Sequence, residues 1–249
     1  MISNINLDDI VNIAKKASIQ VMEIYNTNFD IEYKDDLSPL TKADLAANNI
    51  ICNSLISLYP NIPILSEENK EIDYNDRKKW KYYWCIDPID GTKEFIKKNG
   101  EFTINIALLG NNIPILGVVY APVQNILYKA KKGIGAYKND IKLPIKKEHN
   151  KYIILASRSH LSSENIKFID NIKTTKEKQI INIGSSLKLC LIAEGAADIY
   201  PRLSPTKEWD TAAADAIVIE SGKQCLQYDS SLALKYNKPN LLNPWFIVQ

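Results

Sequence analysis

The stretch Trp84-Cys85-Ile86-Asp87-Pro88-Ile89-Asp90-Gly91-Thr92 decides how this chain is read. The aromatic and apolar run from Tyr82 to Ile86 has the composition and length of a strand and stops at Asp87-Pro88. Pro88 suits the first turn of whatever follows. Asp90 comes three residues after Asp87, so both carboxylates can point at one spot. Gly91 permits close backbone approach, and Thr92 begins a short helix, Lys93-Glu94-Phe95-Ile96-Lys97, whose free N–H groups suit a phosphate. Two carboxylates about 4 Å apart repel by roughly 4 kcal/mol at an effective dielectric near 20. Such a pair calls for a cation, and hard oxygen ligands select Mg²⁺. A bare DxxD is most often a helix cap beside a turn. Strand, DPIDGT and helix in succession reverse that reading.

Outward from this segment the pattern is mixed. Leu7, Ile10, Val11, Ala14, Ala17, Val21 and Ile24 recur at helical spacing, which predicts an amphipathic helix over 7–25. A second helix is expected from Thr41 to about 59, with Leu45, Ile51, Leu55 and Leu58 on its buried face. Residues 62–66 read as a strand ending at Glu67-Glu68, and 69–81 as a charged surface segment. Strands are expected at 103–109, 115–120, 127–129, 135–137, 152–157, 180–183 and 198–201. Helices are expected at 187–194 and 210–221, the latter closed by Gly222. Charged residues 146–151 mark a junction between two halves, 1–150 and 151–249. The reading is layered helices and strands, with strand order left open.

The 249 residues are 45% hydrophobic and 24% charged, enough to bury a sizeable core and too apolar for a disordered chain. Thirty-one Lys+Arg against 29 Asp+Glu leave a net charge of +2, which does not argue for a nucleic-acid polymer as partner. Cys52, Cys85, Cys190 and Cys225 lie far apart, so reduced, buried thiols and a cytoplasmic setting are expected. The acidic N-terminus lacks a signal-peptide pattern. The longest apolar stretch, 113–123, is interrupted by Pro114, Gly117 and Pro122 and is about half the roughly 20 residues of a membrane span.

Other chemistries find no support. There is no GxxxxGK[ST] loop, Gly133-Ile134-Gly135 does not extend to GxGxxG, and His149 and His160 are the only histidines, too few for a zinc cluster. Glu67-Glu68 alone would be an ordinary solvated turn. Thr41-Lys42-Ala43-Asp44 reads equally as a capping box and as a catalytic element, and Trp209-Asp210 as a helix cap. Their joint presence is what matters.

Leu65-Ser66-Glu67-Glu68, the DPIDGT segment and Trp209-Asp210-Thr211-Ala212-Ala213 resemble, in order and spacing, the signature of the inositol-monophosphatase-like, lithium-sensitive phosphatases. The resemblance spans essentially the whole chain. Lys93-Glu94 stands where inositol phosphatases carry Thr-Asn, and with Gly184-Ser185-Ser186-Leu187-Lys188 it places the chain nearer the bisphosphate-nucleotidase branch.

That resemblance implies one catalytic domain with an αβαβα sandwich of the sugar-phosphatase type. It implies two or three Mg²⁺ ions held by Glu67, Asp87, the Ile89 carbonyl, Asp90 and Asp210. Thr92, paired with Asp44, would orient the attacking water, and Glu67 takes part in the same step. Gly91 and Thr92 would receive the phosphate. Ser157, His160, Ser185, Lys188 and Arg202 would line a pocket for adenosine and its 5'-phosphate; Lys188 on a solvated helix face and His160 in a plain loop are the blander alternative. The implied reaction releases the 3'-phosphate of adenosine 3',5'-bisphosphate, a by-product of sulfate assimilation and phosphopantetheine transfer, with phosphoadenylyl sulfate as a second substrate. Rivals are an inositol or fructose-bisphosphate phosphatase on the same scaffold and a nucleotide-binding regulator without turnover. Some members of the family sit at the cytoplasmic face of the inner membrane; no amphipathic or lipidated anchor in this sequence requires it.

Overall fold

A computed structural model describes residues 5–33, 39–145, 150–159 and 162–249. In chain order the elements are α1 (Leu7–Tyr25), β1 (Ile31–Tyr33), β2 (Pro39–Thr41), α2 (Lys42–Leu58), β3 (Ile64–Ser66), α3 (Tyr74–Arg77), β4 (Tyr82–Asp90), α4 (Thr92–Ile96), β5 (Thr103–Gly110), β6 (Ile113–Ala121), β7 (Ile126–Lys131), β8 (Gly135–Lys138) and β9 (Ile141–Lys142). There follow β10 (Tyr152–Ser157), α5 (Ser163–Asn171), β11 (Lys178–Ile183), α6 (Leu187–Glu194), β12 (Tyr200–Arg202), α7 (Glu208–Glu220), β13 (Cys225–Gln227) and β14 (Phe246–Val248).

The main sheet has the order β3-β4-β5-β6-β7-β8-β9, with β3 parallel to β4 and every later pair antiparallel. Strand alternation sorts its side chains onto two faces. Trp84, Ile86, Ile104, Ile106, Leu108, Leu116 and Val118 pack with Ile10, Ala14, Ile51 and Leu55 of α1 and α2. Tyr83, Cys85, Ala107, Leu109, Val119 and Ala121 face α6 and α7.

That second face is built of small residues for a reason. A Cβ at Gly117 would lie 2.0 Å from the Ala213 carbonyl oxygen, so α7 rests directly on the sheet backbone. The Ala-rich sequence of α7 is the other half of the same close approach.

Beyond α6 and α7 lies a second set of strands. β10 pairs with β11 in parallel, an isolated bridge links Ile154 to Ile199, and β12-β14-β13 continue antiparallel. Ile153, Leu155, Tyr200 and Phe246 join the α6/α7 core, while Ile154, Ala156 and Ile199 face Ile169 of α5 on the far side. Helix pair, sheet, helix pair, sheet and helix make five layers, the αβαβα arrangement expected. Residues of both halves share the larger core.

Four expectations need correction. Leu45 and Leu58 are 43% and 50% exposed; the buried face of α2 is instead Ala43, Ala47, Ile51 and Leu55, which recur at helical spacing. The segment 69–81 is not all surface: Arg77 is 1% exposed and carries hydrogen bonds to the C-terminal region. The first strand of the key segment does not stop at Ile86 but runs through Asp87-Pro88 to Asp90. The strand expected at 198–201 is Tyr200–Arg202. Most of the charged junction 146–151 lies outside the described residues. Among the described residues all four cysteines are buried and unpaired, and no helix is long and apolar enough to cross a membrane.

Candidate active site

Asp87 and Asp90 are three apart on one strand, which in a regular pleat would send them to opposite faces. The register resolves this. Asp87 pairs with Asn105 and Asp90 with Thr103, so three steps on β4 match two on β5 and the extra residue forms a bulge. Both carboxylates therefore reach the same face, by a bulged strand and not by the helical turn that Pro88 suggested. Gly91 then turns the chain at φ +93 into α4, a conformation that an L side chain rarely adopts.

Glu67 follows β3 directly, its N–H donating to the Ile86 carbonyl on β4. The turn it begins is tied to α2, because Ser66 Oγ donates to Asn48 Oδ1 at 2.7 Å. Asp210 arrives from the first turn of α7, and its carboxylate accepts from the Lys207 N–H at 2.9 Å. Ligand oxygens of Glu67, Asp87 and Asp210 lie within 4.8 Å of one another. Three carboxylates at that spacing repel by roughly 3–4 kcal/mol per pair at an effective dielectric near 20.

Burial pushes Asp87 well above the ordinary carboxylate range, and Glu67, Asp90 and Asp210 add to the rise. Asp210 is pushed up to about 8, first by burial and then by Asp90 and Glu67. Asp87 Oδ1 is buried without a hydrogen-bond partner. An all-oxygen donor set with an orphaned buried oxygen fits a hard divalent cation, which would supply the missing partner and offset the repulsion.

Asp90 does not belong to that three-carboxylate group. Its Oδ2 accepts from the Ser186 N–H and Oγ, both at 2.5 Å, and from Asn105 Nδ2 at 3.3 Å. The other carboxylate oxygen carries none of these bonds. Burial raises its pKa, while Lys188 and the Ser186 bonds oppose the rise. The Ile89 carbonyl lies 3.3 Å from Thr92 Oγ1, which is also 3.4 Å from Asp44 Oδ1. Asp44 Oδ2 meanwhile accepts from the N–H and hydroxyl of Thr41. Both readings of the Thr41–Asp44 motif thus hold: one oxygen closes the capping box of α2, and the other faces Thr92.

The opposite wall is cationic. Gly184-Ser185-Ser186 joins β11 to α6 across Glu94 and Glu101; a Cβ at Gly184 would meet Glu94 Cγ at 2.6 Å and the Glu101 carbonyl at 2.7 Å. Glu101 holds this loop through the Gly184 N–H at 2.8 Å and is itself gripped by both arms of Arg158 at 2.7 Å. Burial raises Glu101, but the Arg158 and Gly184 donors outweigh it and leave the carboxyl below its usual range. Lys188 is buried; Nζ donates to the Ser185 carbonyl and lies 5.5 Å from the centre of the Tyr200 ring. Desolvation pushes it down to about 8, against the pull of Asp90. Arg202 is buried with Nη2 on the Pro205 carbonyl at 2.9 Å and Nε without a partner.

Floor and wall enclose one cleft of about 560 Å³, lined among others by Glu67, Asp87, Ile89, Asp90, Gly91, Thr92, Ser157, Ser185, Lys188, Arg202 and Asp210. Asp44 stands behind Thr92. His160 lies outside the described residues. Sequence reasoning missed Ser186, Asn105 and Tyr200 as site residues. Ser186 sat inside a stretch already singled out, and Asn105 in the stretch 100–107 that carries the same resemblance, whereas Tyr200 is an ordinary strand position with no local signal.

A five-layer sandwich with clustered carboxylates under a cationic wall defines a class of phosphatases. The Inositol monophosphatase family profile matches residues 6–245, and the chain belongs to that family. It is 42% identical over 247 residues to the 3'(2'),5'-bisphosphate nucleotidase CysQ of Shigella flexneri, covering 97% of this chain and 98% of that protein. The crystal structure of CysQ from Bacteroides thetaiotaomicron, a bacterial member of the inositol monophosphatase family, superimposes with a TM-score of 0.88 at 41% identity, over 98% of this chain and 96% of that one. An IMPase from Thermotoga maritima shares the fold at a TM-score of 0.82 but only 24% identity, over 98% and 91% of the two chains.

Proposed function

We infer that this chain is a 3'(2'),5'-bisphosphate nucleotidase that removes the 3'-phosphate of adenosine 3',5'-bisphosphate to give AMP and phosphate. The observation that carries the site assignment is the opposition within one cleft of a three-carboxylate floor and two buried cations, with Asp87 Oδ1 and Arg202 Nε both lacking partners. Each orphan awaits a group of opposite charge.

In this reading Glu67, Asp87, Asp210, Asp90 and the Ile89 carbonyl hold Mg²⁺. When bound, the ions polarise the phosphoryl group, lower the pKa of an attacking water and neutralise the leaving oxygen. Thr92, steadied by Asp44, orients that water, and Glu67 faces the same point. Gly91 leaves the backbone bare where the phosphate rests, because a side chain there would crowd the Glu101 carbonyl and Glu94 at 3.3 Å. Lys188 and Arg202 take the 5'-phosphate by charge-assisted hydrogen bonds. Ser157 and Ser185 complete the nucleoside pocket. In this reading phosphoadenylyl sulfate, whose sulfate extends the 5'-phosphate, is a second substrate.

The test is phosphate release from adenosine 3',5'-bisphosphate with and without Mg²⁺, beside inositol 1-phosphate at equal concentration. Fast, Mg²⁺-dependent turnover of the nucleotide is the expected result. Preference for inositol phosphate would keep the metal chemistry and overturn the roles of Lys188 and Arg202.

A further inference from the structure

The floor carboxylates come from three separate elements: Glu67 after β3, Asp87 on β4 and Asp210 on α7. A polar assembly behind the cleft ties the start of α7 to the segment that follows β3. Arg77, at the end of α3 and 1% exposed, donates from Nε to the Ile72 carbonyl at 2.9 Å and from Nη1 to Asn237 Oδ1 at 2.8 Å. Its guanidinium also reaches the Lys238 and Pro239 carbonyls at 3.3 and 3.4 Å. Asn237 Nδ2 returns a bond to the Arg77 carbonyl at 2.8 Å.

Glu208, the first residue of α7 and 0% exposed, accepts from the Asn237 N–H at 2.6 Å, the Lys238 N–H at 3.0 Å and Lys238 Nζ at 2.5 Å. Asn243 Nδ2 adds a bond to the Lys207 carbonyl at 2.7 Å. The segment 237–239 therefore staples α3 to the first turn of α7, two residues before Asp210. Tyr83, four residues before Asp87 on β4, feels the charge of both Glu208 and Arg77.

A fully buried Arg and Glu are costly to desolvate, and well-packed apolar residues of similar volume often serve stability as well. What apolar residues cannot do is fix direction. When the floor carboxylates are ionised and no cation is present, their mutual repulsion would drive the start of α7 away from β4. We propose that Arg77, Asn237 and Glu208 form a positioning brace that holds Asp210 against Glu67 and Asp87 and so sets the affinity of that group for a divalent cation. The inference rests on the metal-site reading above. None of the three lines the cleft; they act through Asp210.

The probe is Mn²⁺ binding to the substrate-free protein by isothermal titration calorimetry, with thermal denaturation alongside. Asn237 adopts φ +56, which glycine tolerates, so Asn237→Gly cuts both side-chain links to Arg77 without backbone strain. Its Mn²⁺ affinity should fall about tenfold, the scale for losing an outer-sphere partner, with the KM for nucleotide at saturating Mn²⁺ unchanged within a factor of two. Lys238→Met, at a partly exposed amine, should weaken Mn²⁺ less. Tyr128→Phe, which removes a buried bond to Glu194 at 2.7 Å away from the cleft, should cost stability and leave Mn²⁺ affinity alone. If Asn237→Gly binds Mn²⁺ as tightly as the parent while melting lower, the brace is structural only and the proposal is wrong. Should that variant not fold, unchanged affinity in Lys238→Met overturns the proposal in its place. Wild-type protein that binds no Mn²⁺, or Asp210→Asn that binds it as well as wild type, would instead bring down the metal-site reading itself.

Discussion

The floor and the wall of the cleft are opposite in charge and alike in predicament. Asp210 is pushed up to about 8 and Lys188 down to about 8, each chiefly because burial disfavours its charged form. Each pole is incomplete without a ligand, a cation below and a phosphate above. The difference lies in how they are held. The floor carboxylates sit on main-chain features, a bulge in β4, the end of β3 and the first turn of α7, the last of these braced from behind by Arg77, Asn237 and Glu208. The wall is fixed by side chains, with Lys188 on the Ser185 carbonyl and Arg202 on the Pro205 carbonyl. Damage to the floor should therefore abolish chemistry, whereas damage to the wall should retune substrate choice.

The sharpest way to break this contrast is Asp87→Asn. Turnover at saturating Mg²⁺ should fall about 10³-fold, since a few kcal/mol of metal-assisted charge stabilisation is removed. Stability to urea should hold or rise, because an uncompensated buried charge disappears. Near-normal turnover would take Asp87 out of the metal set.

Next in size is Lys188→Ala. Its KM for the bisphosphate should rise by about 10- to 100-fold, the scale of a lost charge-assisted contact, while hydrolysis of a monophosphate such as 3'-AMP changes little. Equal effects on both substrates would remove Lys188 from the 5'-phosphate pocket and leave it as a packing residue.

The same lysine gives a pH test with a definite sign. Its folded pKa of about 8 lies below the ordinary 10.5, so between those values the unfolded chain holds the extra proton and stability of the substrate-free protein rises with pH. Below pH 8 the full burial cost stands, about 3 kcal/mol at most. Lys188→Met should thus raise Tm at pH 7, and the gain should shrink toward pH 10. A gain that is independent of pH would mean the ammonium is not the source of the cost. In the parent protein, KM for the bisphosphate should climb as pH passes 8 and Lys188 loses its charge, leaving Arg202 as the wall's remaining cation.

How much of this was legible in the sequence follows the same divide. DPIDGT, Ser66-Glu67-Glu68 and Trp209-Asp210 are short contiguous motifs, each weak alone, and the family resemblance that joins them implied the floor residue by residue. Helical and strand periodicity predicted layered helices and strands, and the five-layer αβαβα arrangement was what the family resemblance implied. The bulge was not legible, because DxxD at the end of a strand fits a helical turn equally well, and only the pairing of Asp87 with Asn105 and Asp90 with Thr103 tells them apart. Arg77 was hidden for a similar reason. A charged residue in a charged segment looks solvated until a partner 160 positions away, Asn237, is known to receive it. The wall depended on Tyr200, Asn105 and Ser186, whose roles come from long-range contacts; Asn105 and Ser186 fall inside motif stretches, but nothing local says that those are the residues making the contact.

The smallest effect, and the one that tests whether floor and wall are coupled, belongs to Ser186. Its Oγ lies 2.5 Å from Asp90 Oδ2 and 2.6 Å from the Asp210 carbonyl, and accepts from Asn105 Nδ2 at 2.9 Å. A hydroxyl has one proton, so it can donate to Asp90 or to Asp210 but not to both at once. Ser186 also opens α6, the helix that carries Lys188, and so connects the wall to Asp210 of the floor and to Asp90 beside it. In Ser186→Ala, Asp90 keeps the backbone N–H of residue 186 and loses only the hydroxyl. A net loss of about 1 kcal/mol, roughly fivefold, is expected in kcat/KM, with the Mg²⁺ requirement steepened because Asp90 is less firmly aimed. If Asp90 acts with the floor, that loss should appear at low Mg²⁺ and fade as the ion is raised. If Asp90 serves mainly to balance Lys188, the loss should follow nucleotide concentration and ignore Mg²⁺. The two titrations on one variant thus decide to which pole the bridging carboxylate belongs.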